Sequence, residues 1–337
     1  MPIEIVVALG GFAVAWLIAN LAVLVHNRLL LRRQGDFTSG GSLLVVVAHQ
    51  DDEIIVAGGA MLKTLAKGGA VHVVFTVDGV TRDPSLTQDA VRRRIESRER
   101  ESIDALADLG IPERNAHFLR YENEQGLRQP ANAVEAIEKV ARLIRELHPY
   151  AIVTCTFEGS HCDHDVTNFI VARAAEEAGF PREKVFEAPE YNRFYLREYL
   201  KRKMNHFLLV RFHMPPRFLP GADPGWALAL SRKELSRKRS LFRHFKTQEP
   251  ERLATRFDFP DQFRVLCSYD YAKGPFKPSA SLRYRLGSLW KKKDGGPFSG
   301  SMTTDDYQRT YTSLEEAWRT RRSTASDGIP PRDEPKG

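Results

Sequence analysis

The stretch SLLVVVAHQDDE at residues 42–53 constrains this chain more than any other. An unbroken run of apolar, mostly β-branched residues reads as a strand buried on both faces, the kind found in parallel sheets covered by helices. The run stops at Ala48, and His49, Gln50, Asp51, Asp52 and Glu53 follow at once. A soluble core has no need of one imidazole and three carboxylates at the end of a strand. Next comes IIVAGGAMLKTLAKGG, with apolar residues at helical spacing and a Gly68-Gly69 stop signal. The local order is therefore strand, polar turn, helix. In open α/β sheets ligands bind beyond the carboxyl ends of the strands, and the dipole of the following helix favours acidic groups there. A helix cap accounts for one aspartate, but not for a histidine and two aspartates packed within four positions.

From Ser42 the chain alternates. Strands are expected at Leu43 to Val47, Val71 to Val77, His117 to Leu119 and Ala151 to Thr156, and helices at Ile54 to Lys67, Gln88 to Leu109, Asn132 to Leu147 and Val166 to Ala178. This is the signature of an α/β fold: a Rossmann-like, mainly parallel sheet with helices on both faces. Neither GxGxxG nor GxxxxGK[ST] follows the first strand, so a dinucleotide or P-loop reading has no support. After Phe180 the rhythm loosens. Further strands are expected at Phe186 to Pro189 and His206 to Phe212, a proline- and glycine-rich loop at Pro215 to Trp226, and a basic helix at Ser231 to Phe245.

Residues 5–25, IVVALGGFAVAWLIANLAVLV, carry no charge and are long enough to cross a hydrocarbon core of roughly 30 Å at about 1.5 Å per residue. The only early charge is Glu4, and no convincing small-residue cleavage site follows, which argues against a cleaved signal peptide. No Lys or Arg precedes the span, whereas Arg28, Arg32 and Arg33 follow it, so the expected topology is single-pass with the N-terminus outside and the rest cytoplasmic. The expected layout is a transmembrane anchor at 3–25, a linker at 26–41, one α/β domain at 42–290 and a polar tail at 291–337, disordered from Ser323. A net charge of +7 suits an anionic partner, but the basic runs come without any nucleic-acid-binding signature, so a membrane surface is the better expectation than nucleic acid. Cys155, Cys162 and Cys267 are an odd count without CxxC spacing, which argues against a disulfide framework and against a thiolate zinc site.

The strand at AIVTCT repeats the logic of the first, running into FEGSHCDHDV with His161, Asp163 and His164 ahead of another helix. Two strand ends of one parallel sheet can lie side by side, which would gather His49, Asp51, Asp52, His161, Asp163 and His164 into one crevice. Imidazole and carboxylate are ligands of borderline divalent metals, and a catalytic zinc takes three protein ligands plus an open position. Six groups exceed three, so the remainder can act as base, orienter and electrophile. A two-histidine, one-carboxylate set holds Fe(II) equally well.

AHQDDE resembles the AHPDDE signature of the PIG-L/LmbE-like N-acetylglucosaminyl de-N-acetylases, and SHCDHD resembles their second motif. TVDG at Thr76 to Gly79, RERESIDALADLGI around Arg98 and Glu101, EAPEYN from Glu187 to Asn192 and SRKRSLFRHFKTQ from Ser236 to Gln248 are weaker similarities, so that the resemblance runs from about Ser42 to Tyr271. It implies a zinc-dependent hydrolase that removes acetyl from an N-acetylglucosaminyl group. By position, His49, Asp52 and His164 match the metal ligands, Asp51 the general base, His161 the oxyanion-stabilising histidine and Asp163 the residue that orients it. Gln50 and Cys162 stand where the family has or often has proline, and YENEQG at Tyr121 to Gly126 departs from the usual pattern around an acidic substrate contact.

The expected chemistry is hydrolysis of an acetamide by metal-activated water, with Asp51 as base and an imidazolium at His161 stabilising the oxyanion. Asp78 and Arg98 are second-tier substrate-binding candidates, although Arg98 and Glu101, one helical turn apart, also read as a solvated pair. Cys162 is a spacer, and Glu53 a first-turn helix residue. The membrane span suggests a glycolipid substrate. The alternatives are a soluble, thiol-type glycoside as substrate, or a catalytically silent, membrane-anchored sugar-binding protein.

Overall fold

The computed structural model describes residues 2–30, 32–159, 161–190, 204–210, 212, 218, 225–274 and 304–327. In chain order the elements are α1 (Ile3–Leu30), β1 (Gln34–Gly35), β2 (Leu43–Val47), α2 (Asp52–Ala66), β3 (Val71–Val77), α3 (Gln88–Leu109), β4 (Ala116–Tyr121), α4 (Pro130–Leu147), β5 (Ala151–Cys155) and α5 (Cys162–Glu177). They continue as β6 (Val185–Ala188), β7 (Trp226–Leu228), α6 (Arg232–Leu241), α7 (Pro250–Arg256), β8 (Gln262–Val265) and α8 (Thr304–Asp327).

The strands form one sheet in the order β1-β7-β8-β6-β5-β2-β3-β4. The stretch from β6 to β4 is parallel throughout, and β8 adds to β6 in the antiparallel sense. The α/β expectation therefore holds. Chain direction across the sheet reverses at β2: the chain first moves outward through β3 and β4, then returns to place β5 on the other side of β2. That is a topological switch point, where a crevice opens beyond the carboxyl ends of the strands. The two polar turns singled out above follow β2 and β5, the strands that flank it.

Period-two alternation sends β2 into two cores. Leu44 and Val46 pack with α4, α5 and α8, while Leu43, Val45 and Val47 pack with α2, α3 and the phenylalanines around 242–263. Every β2 residue is buried, which is why the sequence shows a continuous apolar run. Thr87 caps α3 by accepting the Ala90 N–H, and Gly110 ends it in the left-handed conformation, a geometry that glycine adopts without cost.

Four expectations shift. The linker expected at 26–41 is structured: α1 runs on through Leu30, β1 pairs with β7, and the Phe37 ring stacks on Phe186 with centroids 4.2 Å apart. Residues 204–207 are helical, where a strand is expected from His206 onward. The basic helix breaks at Leu241 into single-turn 3-10 pieces. Finally, the polar tail contains α8, whose Tyr307, Tyr311, Leu314 and Trp318 recur at helical spacing and are buried against the α4/α5 layer. The polar residues between them face outward and mask this stripe in the composition. Residues 328–337, and the basic run at 291–293, lie outside the described residues.

Candidate active site

The first turn follows β2. Asp51 stands at the N-cap position of α2 with φ 128°, yet its side chain caps nothing. Its own N–H is instead accepted by Glu53 Oε2 at 2.9 Å. A non-glycine residue held at positive φ is strained, and the surroundings enforce it: Arg98 donates to the carbonyls of Gln50 and Gly79 and lies 3.6 Å from Asp51 Oδ1, while Gln50 Nε2 donates to Val77 O. A side chain at Gly79 would collide with Gln50 Oε1. Glu53, expected to be a bystander, is fully buried and supports the turn.

The second turn follows β5. The helix begins earlier than expected, at Cys162, so Asp163 and His164 occupy the first turn of α5. The two turns meet. His49 Nδ1 lies 3.0 Å from His164 Nε2 and 3.2 Å from Asp52 Oδ2, and His164 Nε2 lies 3.2 Å from the same Asp52 oxygen. These three atoms form a nearly equilateral triangle. Ligand atoms about 2.0–2.2 Å from a tetrahedral zinc stand roughly 3.4 Å apart, so the triangle fits one face of such a site. His161 completes the cluster, its ring 4.6 Å from that of His49 and 5.2 Å from that of His164.

Behind each imidazole of the triangle stands a carboxylate. His164 Nδ1 faces Glu190 Oε2 at 3.3 Å, and His49 Nε2 faces Asp163 Oδ2 at 3.2 Å. A carboxylate on the far nitrogen draws the ring proton to itself and turns the other lone pair toward an ion. Both rings thus present the nitrogen that the triangle requires. Other groupings of side chains able to hold a metal are Asp52, Cys155, His164 and Glu190, and His161, Cys162 and Asp163. Burial pushes the thiols of Cys155 and Cys162 well up, which disfavours the thiolate that a metal takes.

Both turns fall within residues 44–175, which match the family model PIG-L, described as GlcNAc-PI de-N-acetylase. No curated protein matches the chain in sequence. Similar solved structures include a triple mutant of a deacetylase of the teicoplanin biosynthetic pathway, 18% identical over 68% of this chain and 99% of that one, with a TM-score of 0.49. They also include the deacetylase of the A40926 pseudoaglycone, 18% identical over 67% and 98% of the two chains (TM-score 0.48). A third is N,N'-diacetylchitobiose deacetylase from Pyrococcus horikoshii, 17% identical over 66% and 82% (TM-score 0.44).

Several titratable groups of these turns are held away from their ordinary pKa values. Burial lowers the His49 pKa, but Asp52 and Asp163 outweigh it and push the ring up to about 10, so a proton and a cation compete for Nδ1. Burial and the Asp52 charge push Asp51 up to about 7, against the pull of Arg98. Burial and the neighbouring His49 and His164 push His161 down to about 3. That alters the role expected of His161. Its Nδ1 accepts the Asp163 N–H at 3.3 Å, which leaves the proton of the neutral ring on Nε2.

Asp163, expected behind His161, stands 3.8 Å from that ring and closer to His49. The 121–126 loop holds it there, since the Glu124 N–H donates to Asp163 Oδ2 at 2.9 Å. Asp78, at the end of β3, is buried, and its carboxylate accepts from the N–H groups of Val80 and Asn123 and pairs with Arg82. Arg98 and Glu101 do not form a solvated pair. Glu101 is buried and accepts the Thr247 N–H and hydroxyl, both at 2.7 Å, because α3 packs on the 246–248 turn.

Glu190 lies in the EAPEYN stretch noted in the sequence, which assigned it no role. It follows β6, the strand beside β5, and it also accepts from the Cys155 thiol. The signal that could have found it is the same one that found the other two turns, an acidic residue just past the end of a parallel strand.

Proposed function

We propose that this chain is a metal-dependent hydrolase that removes the acetyl group from an N-acetylglucosaminyl moiety of a membrane glycolipid. The observation that carries the reading is the triangle of His49 Nδ1, Asp52 Oδ2 and His164 Nε2, with Asp163 and Glu190 behind the two rings, in a PIG-L domain. His49, Asp52 and His164 would hold the ion, Zn2+ by preference, with Fe2+ compatible with the same set. When bound, such an ion supplies Lewis acidity toward a carbonyl and acidifies water.

The chain's own groups do the rest. Asp51, adjacent to a ligand but outside the triangle, takes the proton of the attacking water and returns one to the leaving amine. The strained turn and Arg98 hold its carboxylate in place. His161 donates Nε2–H to the developing oxyanion, fixed in that tautomer by the Asp163 N–H. Arg98 and Asp78 shape the turns around the crevice, and any contact with the sugar comes second to that. α1 is long and apolar enough to cross a membrane and holds the domain where a lipid-linked amino sugar is concentrated. On this reading the N-terminus lies outside and the domain on the cytoplasmic side, because Arg28, Arg32 and Arg33 follow the span.

The test is metal analysis of the purified full chain together with acetate release from GlcNAc-phosphatidylinositol in vesicles and from soluble GlcNAc-inositol. The expected result is one ion per chain and faster release from the lipid substrate. Asp51→Asn should keep the ion and lose about 10²–10⁴-fold in turnover. His164→Ala should lose the ion. No ion and no release from either substrate would mean a silent sugar-binding protein, and equal rates on both would remove the lipid preference.

A further inference from the structure

Two side chains with polar groups, Trp16 and Asn20, interrupt the apolar stretch 5–25 of α1, and neither is explained by spanning a membrane. Both lie on the face of the helix that also carries Val23 and His26, while the opposite face exposes Leu17, Ile18, Leu21 and Val25. A polar group in an apolar span marks a partner. Here the partner is the chain itself, 190 residues further on. Trp16 Nε1 donates to Phe207 O at 2.5 Å, and Asn20 Oδ1 accepts the N–H groups of both Leu209 and Val210, at 2.8 and 2.9 Å. The His26 ring lies 4.9 Å from that of Phe212. The segment therefore runs along the helix in the same direction, Phe207 beside Trp16 and Phe212 beside His26.

Backbone in a hydrocarbon layer has to satisfy its polar groups without water. This segment does so to an unusual degree. Leu208 N–H donates to Met204 O, Asn20 takes the next two N–H groups, and the Asn205 side chain brackets Phe212, accepting its N–H at 2.7 Å and donating to its carbonyl at 3.3 Å. Its side chains do the opposite of what a water-facing loop requires: Phe207 and Leu209 are 71% and 78% exposed. Depth agrees. With Arg28 at the interface, Asn20 and Trp16 lie about 12 and 18 Å further in, inside a hydrocarbon core of roughly 30 Å.

We propose that Met204–Val210 and Phe212 form a second membrane-inserted element, which enters the bilayer beside α1 and is held there by Trp16 and Asn20. The occupant of its exposed apolar face is lipid. This rests on reading α1 as a membrane span. The consequence is that the domain is not a ball on a swinging tether. The segment begins 14 residues after Glu190, the His164 partner just past the end of β6, so a short stretch of chain links that strand end to the bilayer.

Site-directed fluorescence on the full chain in phosphatidylcholine vesicles tests this. Cys267→Ser removes the one native thiol that is not buried, and single cysteines are placed at Leu17, on the lipid-facing side of α1, and at Leu209, each labelled with an environment-sensitive dye. Both labels should lose most of their emission to doxyl-labelled lipid and little to aqueous iodide. A Leu17 label quenched by lipid with a Leu209 label quenched by iodide overturns the second element and leaves the span standing. Iodide quenching at both positions removes the span, and the inference with it. Asn20→Leu makes α1 more apolar but deletes the acceptor for Leu209 and Val210. It should leave the Leu17 label in lipid and shift the Leu209 label toward iodide, whereas unchanged quenching at Leu209 would refute the anchoring role of Asn20.

Discussion

Tyr307 donates its hydroxyl to Asp165 Oδ2 across 142 residues, and the other oxygen of that carboxylate accepts the N–H groups of Glu158 and Gly159, both at 2.9 Å. Asp165 follows His164 in the first turn of α5, so α8 braces the turn that delivers the second half of the site. Tyr307→Phe keeps the ring packing and removes the bond. A hydrogen bond to a charged group contributes about 1.5–3 kcal/mol, so the variant should melt lower, turn over more slowly and keep its metal. Unchanged melting and unchanged turnover would show that the helix merely covers the core.

Glu190 stands to His164 as Asp163 stands to His49. Partners of this kind typically contribute 10–100-fold to metal affinity. Glu190→Ala should weaken metal binding by that factor in a competition titration with a chelator, while Glu190→Gln, which can still accept the ring N–H, should lose less. Equal affinity in both variants and the parent would place Glu190 outside the metal's support.

Legibility followed burial. β2 and β3 have the expected boundaries because strands buried on both faces need unbroken apolar runs, and α3 has its expected boundaries because Thr87 and Gly110 are local signals. The six residues of the two turns were visible because each sits within a few positions of a strand end. Glu190 fell within the quoted EAPEYN stretch but drew no role, since β6 is four residues long and no histidine follows it. Tyr307 was hidden for another reason: its partner is remote, and the stripe it belongs to is diluted by charged residues. Residues 206–212 read as a strand from their apolar content, but the N–H groups of Leu209 and Val210 go to Asn20 of α1 and that of Phe212 to Asn205, contacts that no local strand pattern encodes.

Lys238 and Asp261 form a fully buried ion pair at 2.5 Å wedged against α2. Lys238 Nζ also donates to Ile55 O, and Asp261 Oδ2 accepts from Gly59 and Ala60, so the pair grips that helix one to two turns beyond Asp52. Gly58 and Gly59 make the approach possible, because a side chain at Gly59 would meet Leu230 and Asp261. Breaking one side of a buried pair costs about 3–5 kcal/mol, mostly by stranding the other charge. Lys238→Met should destabilise the chain by that amount in denaturant unfolding, and Lys238→Met with Asp261→Asn should recover part of the loss. A double variant no more stable than the single one would mean that shape, and not stranded charge, sets the cost.

Asp108 near the end of α3 receives Arg237 from α6 and Arg243 and His244 from the turn after it, at 2.8, 2.8 and 3.0 Å. The bonds from Arg237 and His244 hold its carboxyl down at about 2, with burial opposing only weakly. An unfolded aspartate titrates near pH 3.9, so the folded state is the weaker proton binder. The resulting stability is therefore complete above about pH 4 and is lost as the pH falls toward 2. Asp108→Asn should melt below the parent at pH 7, and the gap should narrow from about pH 4 downward, since the remaining carboxylates titrate in both chains alike. A gap of constant size between pH 7 and pH 3 would assign the loss to altered packing around Arg237 and not to the charge of Asp108.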